Sequence, residues 1–150
     1  GKTHVLHIIR ELLSFEPTSK GTDMAQALQY FANAQKRHCT AFLISDFIGT
    51  GAVDKPLLIA SNRHEVNAIQ IYDRRETELP NIGLVKFHDA ESNSNLWIDT
   101  SLATIRNNYA QAWKQNQDSL EQLFTRTGVK HVSVRTDEDY VKALMHLFRC

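Results

Sequence analysis

The 150-residue chain has only two cysteines, three prolines and six glycines, and no excess of either charge. Two cysteines, Cys39 and Cys150, do not make a disulfide framework. The plainer reading is two reduced thiols in a cytosolic protein. Lys plus Arg and Asp plus Glu each number 17, so the formal charge is zero. That balance argues against a nucleic-acid binder held by a broad basic face, because phosphate affinity needs surplus Lys and Arg. Long hydrophobic runs are missing too. The longest clearly apolar stretches, residues 41–44 and 57–60, fall far short of the roughly 20 residues that cross a bilayer as a helix. No signal-peptide pattern, internal repeat or low-complexity segment is visible. With 42% hydrophobic and 23% charged residues the composition is ordinary for a globular protein, which argues against disorder. The length suits one domain, residues 1–150, with a real core.

The pattern alternates helices and strands. Val5, Leu6, Ile8, Ile9, Leu12 and Leu13 share a helical face, and Pro17 ends that helix. A turn over 18–21 follows, and Asp23 with Gln26 resembles a capping box for a second helix carrying Met24, Leu28 and Phe31. Residues 40–44 read as a buried apolar strand stopping at Ser45-Asp46. Asp54 and Pro56 open a third helix, and a second strand over 66–72 halts at Asp73. Two runs, 84–89 and 96–99, read as a hairpin. Thr100 or Ser101 opens a long helix closed by Gly128, a strand over 131–135 follows, and Thr136 with Asp139 caps a final helix. The expected fold is an α/β layered sandwich around a largely parallel sheet with one inserted hairpin.

Ligands of such sheets sit at the carboxyl ends of the strands. Thr22, opening the second helix, and Asp46, ending the first clear strand, would meet there. A hydroxyl and a carboxylate suit a hard cation such as magnesium; the plainer reading makes them only a helix cap and a loop cap. Asp73 and Glu76 are candidate acid/base carboxylates, but Arg74 and Arg75 between them favour solvated ion pairs. His4 and His7 lack a third metal ligand. Adjacent His38 and Cys39 would point to opposite sides of a strand, a poor arrangement for a nucleophile and its base. Gly49-Thr50-Gly51 lacks the rest of a dinucleotide fingerprint. No complete catalytic set emerges, so the chain does not read as an enzyme.

Several stretches together resemble a known family. They are Gly21-Thr22-Asp23-Met24 before a helix, Ala41-Phe42-Leu43-Ile44-Ser45-Asp46-Phe47, residues 66–80, and Gly83 with the Asp89-Ala90-Glu91 hairpin. They are similar to the family called domain of unknown function 58, whose members resemble von Willebrand factor type A domains. The likeness covers nearly the whole chain. Its most specific part is Asp73-x-x-Glu76-x-x-Leu79-Pro80-x-x-Gly83. The resemblance implies a Rossmann-like three-layer sandwich and a metal-ion-dependent adhesion site. That site is built from an Asp-x-Ser-x-Ser loop, a threonine matched by Thr22 and an aspartate matched by Asp46, around magnesium. This chain has no Asp-x-Ser-x-Ser, so the resemblance implies the C-terminal half of a longer protein, lacking the opening strands and three metal ligands. Alone, Thr22 and Asp46 should hold magnesium weakly at best. The missing first strand would leave the strand over 40–44 with a bare edge, from which we expect self-association or rearranged packing. The implied function is a cytoplasmic, metal-dependent adaptor that partners a MoxR-type ATPase. Two alternatives stay open: a magnesium-dependent phosphatase or phospho-acceptor module using Asp46, and a scaffold with no metal role.

Overall fold

A computed structural model describes residues 1–16, 22–49, 51–88 and 94–148. Several expectations therefore lie outside the described residues: Pro17 and the turn to Gly21, Thr50, the Asp89-Ala90-Glu91 segment, and Cys150. The elements in order are α1 (Lys2–Ser14), α2 (Met24–Ala34), β1 (Thr40–Ser45), α3 (Asp54–Arg63), β2 (Glu65–Tyr72), α4 (Arg74–Thr77), β3 (Leu84–His88), β4 (Asn95–Asp99), α5 (Ala103–Thr127), β5 (Lys130–Arg135) and α6 (Tyr140–Leu147). β1, β2 and β5 form a parallel sheet with β2 in the middle, and β3 and β4 form a separate antiparallel hairpin. The expected mixed α/β architecture, mostly parallel with an inserted hairpin, is what the chain adopts.

The register sorts the side chains onto two faces. Ala41 lies beside Val66 and Leu43 beside Ala68, on the face packed by α2, α3 and α5. The core there joins Met24 and Leu28 of α2, Leu57 and Ala60 of α3, and Leu120, Leu123 and Phe124 of α5. Phe47 and Phe124 meet edge to face, with centroids 5.3 Å apart, and both are nearly fully buried. That geometry adds aromatic attraction to the burial of two large apolar rings.

Two helix ends form as the sequence suggests, and a third by a different cap. Asp23 accepts the Gln26 N–H at 2.8 Å as expected, whereas α6 is capped by Asp139 alone, which accepts the Val141 N–H at 3.0 Å. Gly128 closes α5 at φ 67°, a left-handed conformation that costs glycine little.

Elsewhere the structure departs from expectation. Thr100 does not open α5, whose N-cap is Leu102; Thr100 is buried at the base of the hairpin instead. Thr136 does not pair with Asp139 but turns back to Asp73. β1 is not a buried strand: Phe42 is 45% and Ile44 59% exposed. Both side chains lie on the opposite face, where α6 packs mainly against β5 and reaches β1 through Phe148, whose ring meets Phe42 edge-on with centroids 5.8 Å apart. α1 has the expected amphipathic pattern, yet none of its residues is buried, and Leu13 is 84% exposed.

Candidate functional site at the carboxyl edge of the sheet

All three parallel strands end at the same edge, and each is followed by a polar residue: Asp46 after β1, Asp73 after β2 and Thr136 after β5. α2 precedes β1 and runs antiparallel to it, so its N-terminus, with Thr22 just ahead, lies at this edge too. Met24 and Phe47 share one core cluster, which ties the start of α2 to the turn after β1. The start of α2, just after Thr22, and the turn bearing Asp46 thus share one core cluster at this end of the sheet. Thr22 and Asp46 do not bond to each other. Thr22 is exposed. Asp46 Oδ1 accepts the Ile48 N–H at 3.1 Å and contacts the Ser45 hydroxyl at 3.4 Å.

The turn that presents Asp46 is strained. Phe47 sits at φ 58°, a left-handed conformation that costs a bulky L-residue about 1–2 kcal/mol. Its N–H donates to Ser45 Oγ at 3.0 Å, and its ring is sunk in the core. This sharp reversal sends Phe47 inward while leaving Asp46 exposed. Gln70, buried in the middle of β2, braces the same turn. Its amide donates to the Asp46 carbonyl at 3.3 Å and its oxygen accepts the Ser133 hydroxyl at 2.9 Å. The braces tie the turn after β1 to β2 and β2 to β5. Sequence reasoning passed over Gln70, which with Asn67 is one of two polar residues inside the mostly apolar 66–72 run.

Asp73 and Glu76 turn out to be architecture. Asp73 Oδ1 accepts the Arg75 N–H at 2.8 Å, and Glu76 Oε1 accepts the Asp73 N–H at 3.1 Å, a complete capping box on α4. The Thr136 hydroxyl donates to Asp73 Oδ2 at 3.1 Å. The Arg75 N–H and then this hydroxyl favour the ionised form, so they hold the Asp73 carboxyl below its ordinary value. Tyr109 of α5 donates to the Arg75 carbonyl at 3.3 Å. Burial, and then the Glu76 charge, push its phenol upward. Pro80 is exposed beside Arg74, Arg75, Glu78 and Ile82. Gly83, at φ 81°, offers its carbonyl to both the N–H and the hydroxyl of Thr100, each at 2.8 Å. Pro80 and Gly83 therefore belong to the connection that leads from α4 into the hairpin.

At the opposite end of the sheet, Cys39 faces His64 rather than His38, with Sγ 3.7 Å from Nδ1. Among the described residues no group of three or more His, Cys, Asp or Glu side chains is placed to hold a metal ion. No described helix is long and apolar enough to cross a membrane.

The family described as "Protein of unknown function DUF58" matches residues 1–119. The chain belongs to this family. Among DUF58-like relatives, "Uncharacterized protein Rv1480" of Mycobacterium tuberculosis is 31% identical over 145 residues, covering 94% of this chain and 45% of the relative. "Uncharacterized protein Mb1516" of Mycobacterium bovis shows the same figures, 31% identity over 94% of this chain and 45% of the relative. "Uncharacterized protein MAV169" of Mycobacterium avium is 30% identical over 135 residues, covering 89% of this chain and 78% of the relative. The chain thus spans less than half the length of the first two. No solved structure matches it. The DUF58 match stops within α5, while β5 and α6 beyond it complete the sheet and its second face.

Proposed function

We propose that this DUF58 chain is part of a protein-binding adaptor whose working surface is the carboxyl edge around Thr22 and Asp46. The observation that carries this reading is the strained Phe47 turn, which holds Asp46 exposed and is braced by Gln70. Strain kept at an exposed acid fits a presented contact point better than a loop of convenience. The Asp46 carboxylate shares Oδ1 with its own turn, which suits a fixed docking acid more than a phospho-acceptor.

In this reading the domain is of von Willebrand factor A type, in the C-terminal part of a longer cytoplasmic protein. A partner carboxylate would meet the edge through magnesium, and MoxR-type ATPases are the partner class implied. The donors of this chain do not hold that ion alone. One hydroxyl and one carboxylate replace too little of magnesium's tightly held water shell, and the described residues offer no further cluster. No step is therefore assigned to the metal here; Thr22 and Asp46 supply polar contacts and position.

The test uses the full-length gene product. Asp46→Ala should weaken binding to a MoxR-type ATPase roughly tenfold or more, the loss of one charge-assisted contact, with an unchanged melting temperature. Binding that survives Asp46→Ala and is indifferent to chelator would refute the assignment.

A further inference from the structure

At the amino end of the sheet, away from Thr22 and Asp46, one thiol and one imidazole are held together. Cys39 stands two residues before Ala41, so its side chain falls on the face packed by α2 and α3 rather than on the outer edge of β1. His64 closes α3 and is only 3% exposed. Its ring lies 4.7 Å from that of Phe31, centroid to centroid, and its Nδ1 lies 3.7 Å from Cys39 Sγ. Cys39 is half-buried and free.

The other ring nitrogen is the anomaly. Nε2 is buried and has no hydrogen-bond partner among the described residues. A thiol that donates to Nδ1 leaves the proton of the neutral ring on Nε2. If the thiol proton passes to Nδ1, Nε2 still carries its own. In both states a buried N–H lacks an acceptor, which costs about 1–3 kcal/mol. An apolar residue would fill the same space without that cost. The ring also lines a pocket of about 540 Å³ with Gln35, Lys36, His38 and Arg63, and among the described residues no acid lines it. Cations gather at helix carboxyl ends such as those of α2 and α3, so their charge alone assigns nothing. Charge beside a thiol and an unsatisfied donor does.

We propose that Cys39 is a modification site that takes small anionic disulfides into a mixed disulfide, with His64 as its proton acceptor. This goes beyond the adaptor reading and does not depend on it. His64 Nδ1 takes the thiol proton, and the Cys39 sulfur attacks one sulfur of the disulfide. The S–S bond of the small molecule breaks and a bond to Cys39 forms. The other half leaves as a thiolate and recovers the proton from Nδ1. Cys39 is oxidised as the small disulfide is reduced, so atoms and electrons balance. Lys36 and Arg63 attract the negative charge of the ligand. A carboxylate on that ligand is the kind of acceptor that Nε2 lacks.

The test uses three probes: oxidised glutathione, which is anionic, bis(2-hydroxyethyl) disulfide, which is neutral, and cystamine, which is cationic. Addition is followed by mass spectrometry of the tryptic peptide 38–63, in which Cys39 is the one cysteine, so the readout also serves the full-length gene product. Each rate is taken relative to the same chain unfolded in urea, which cancels the differing leaving groups. On that scale oxidised glutathione should react at least roughly tenfold faster than cystamine at low salt, and the gap should close near about 1 M salt. His64→Asn keeps a polar side chain that cannot take the proton, and it should slow all three probes at least roughly tenfold. Lys36→Glu, at an exposed position, should cut the ratio of the anionic to the cationic rate roughly tenfold. It decides the matter even if His64→Asn disturbs folding. Cystamine reacting as fast as oxidised glutathione overturns the proposal. So does an undiminished rate with the neutral probe in folded His64→Asn, which would leave His64 a packing residue. A folded chain whose Cys39 resists all three probes overturns it too.

Discussion

The Thr136 hydroxyl lies 3.1 Å from Asp73 Oδ2 and joins the end of β5 to the end of β2, 63 residues apart in sequence. The neighbouring Thr136 N–H bonds to the Tyr72 carbonyl at 3.0 Å. The two contacts pin the last residues of the central strand and an outer strand while Asp73 also caps α4.

This pairing sets a pH dependence. Asp73 is held below its ordinary value by the Arg75 N–H and the Thr136 hydroxyl, and Asp99 likewise by the hydroxyl and N–H of Ser101. A group depressed on folding stabilises the folded state fully above its unfolded value, near 3.9 for an aspartate. That contribution is lost as pH falls through the lower, folded value. Urea midpoints should therefore drop below about pH 4. Asp73→Asn keeps a helix-capping side chain but no charge, so its deficit relative to the parent should shrink over the same range. A deficit constant from pH 5 to pH 2 would contradict the sign.

Thr100 is nearly inaccessible, and its hydroxyl donates to the Gly83 carbonyl while accepting the Ile82 N–H. Thr100→Val keeps the shape and leaves the part-buried Ile82 N–H without its partner. The expected loss is about 1 kcal/mol, read as a fall of a few degrees in Tm. Backbone exchange should quicken most at Ile82, at the base of the hairpin.

Gln70→Leu removes the brace between Asp46 and Ser133. Each lost hydrogen bond is worth about 1 kcal/mol. The more telling effect is local: the Phe47 and Ile48 amides should exchange with solvent markedly faster, because the strained turn loses its buried support. Unchanged exchange there would show that the core contact of Phe47 alone holds the turn.

Phe124→Ala empties the centre of the face packed by α5 and costs about 3–5 kcal/mol. Phe47, the ring it meets, would then have less reason to stay left-handed. Thermal unfolding should show the stability loss, and the aromatic spectrum should show release of Phe47.

The sequence could be read wherever the chemistry is local. Asp23 over Gln26 and Gly128 at the end of α5 are short-range signatures, and each was visible in the residue pattern. So were the apolar runs of β1 and β2. Thr136 was assigned to its nearest plausible cap, yet its partner is far away in sequence. Thr100 looked like a helix opener because threonine favours such positions, but burial under the hairpin claimed it first. Gln70 and the left-handed Phe47 have no sequence signature, because both follow from which strands become neighbours. β1 misled for a related reason. An uninterrupted apolar run reports what a strand is suited to touch, and this one lies at an edge.

The thirteen residues of α1 have no buried surface behind them. A helix of that length holds its shape in water only marginally. An exposed apolar face of that kind would be steadied by a neighbour lying along it. The helical signal of α1 should rise when something lies along Val5, Ile9 and Leu12, and fade when that neighbour leaves.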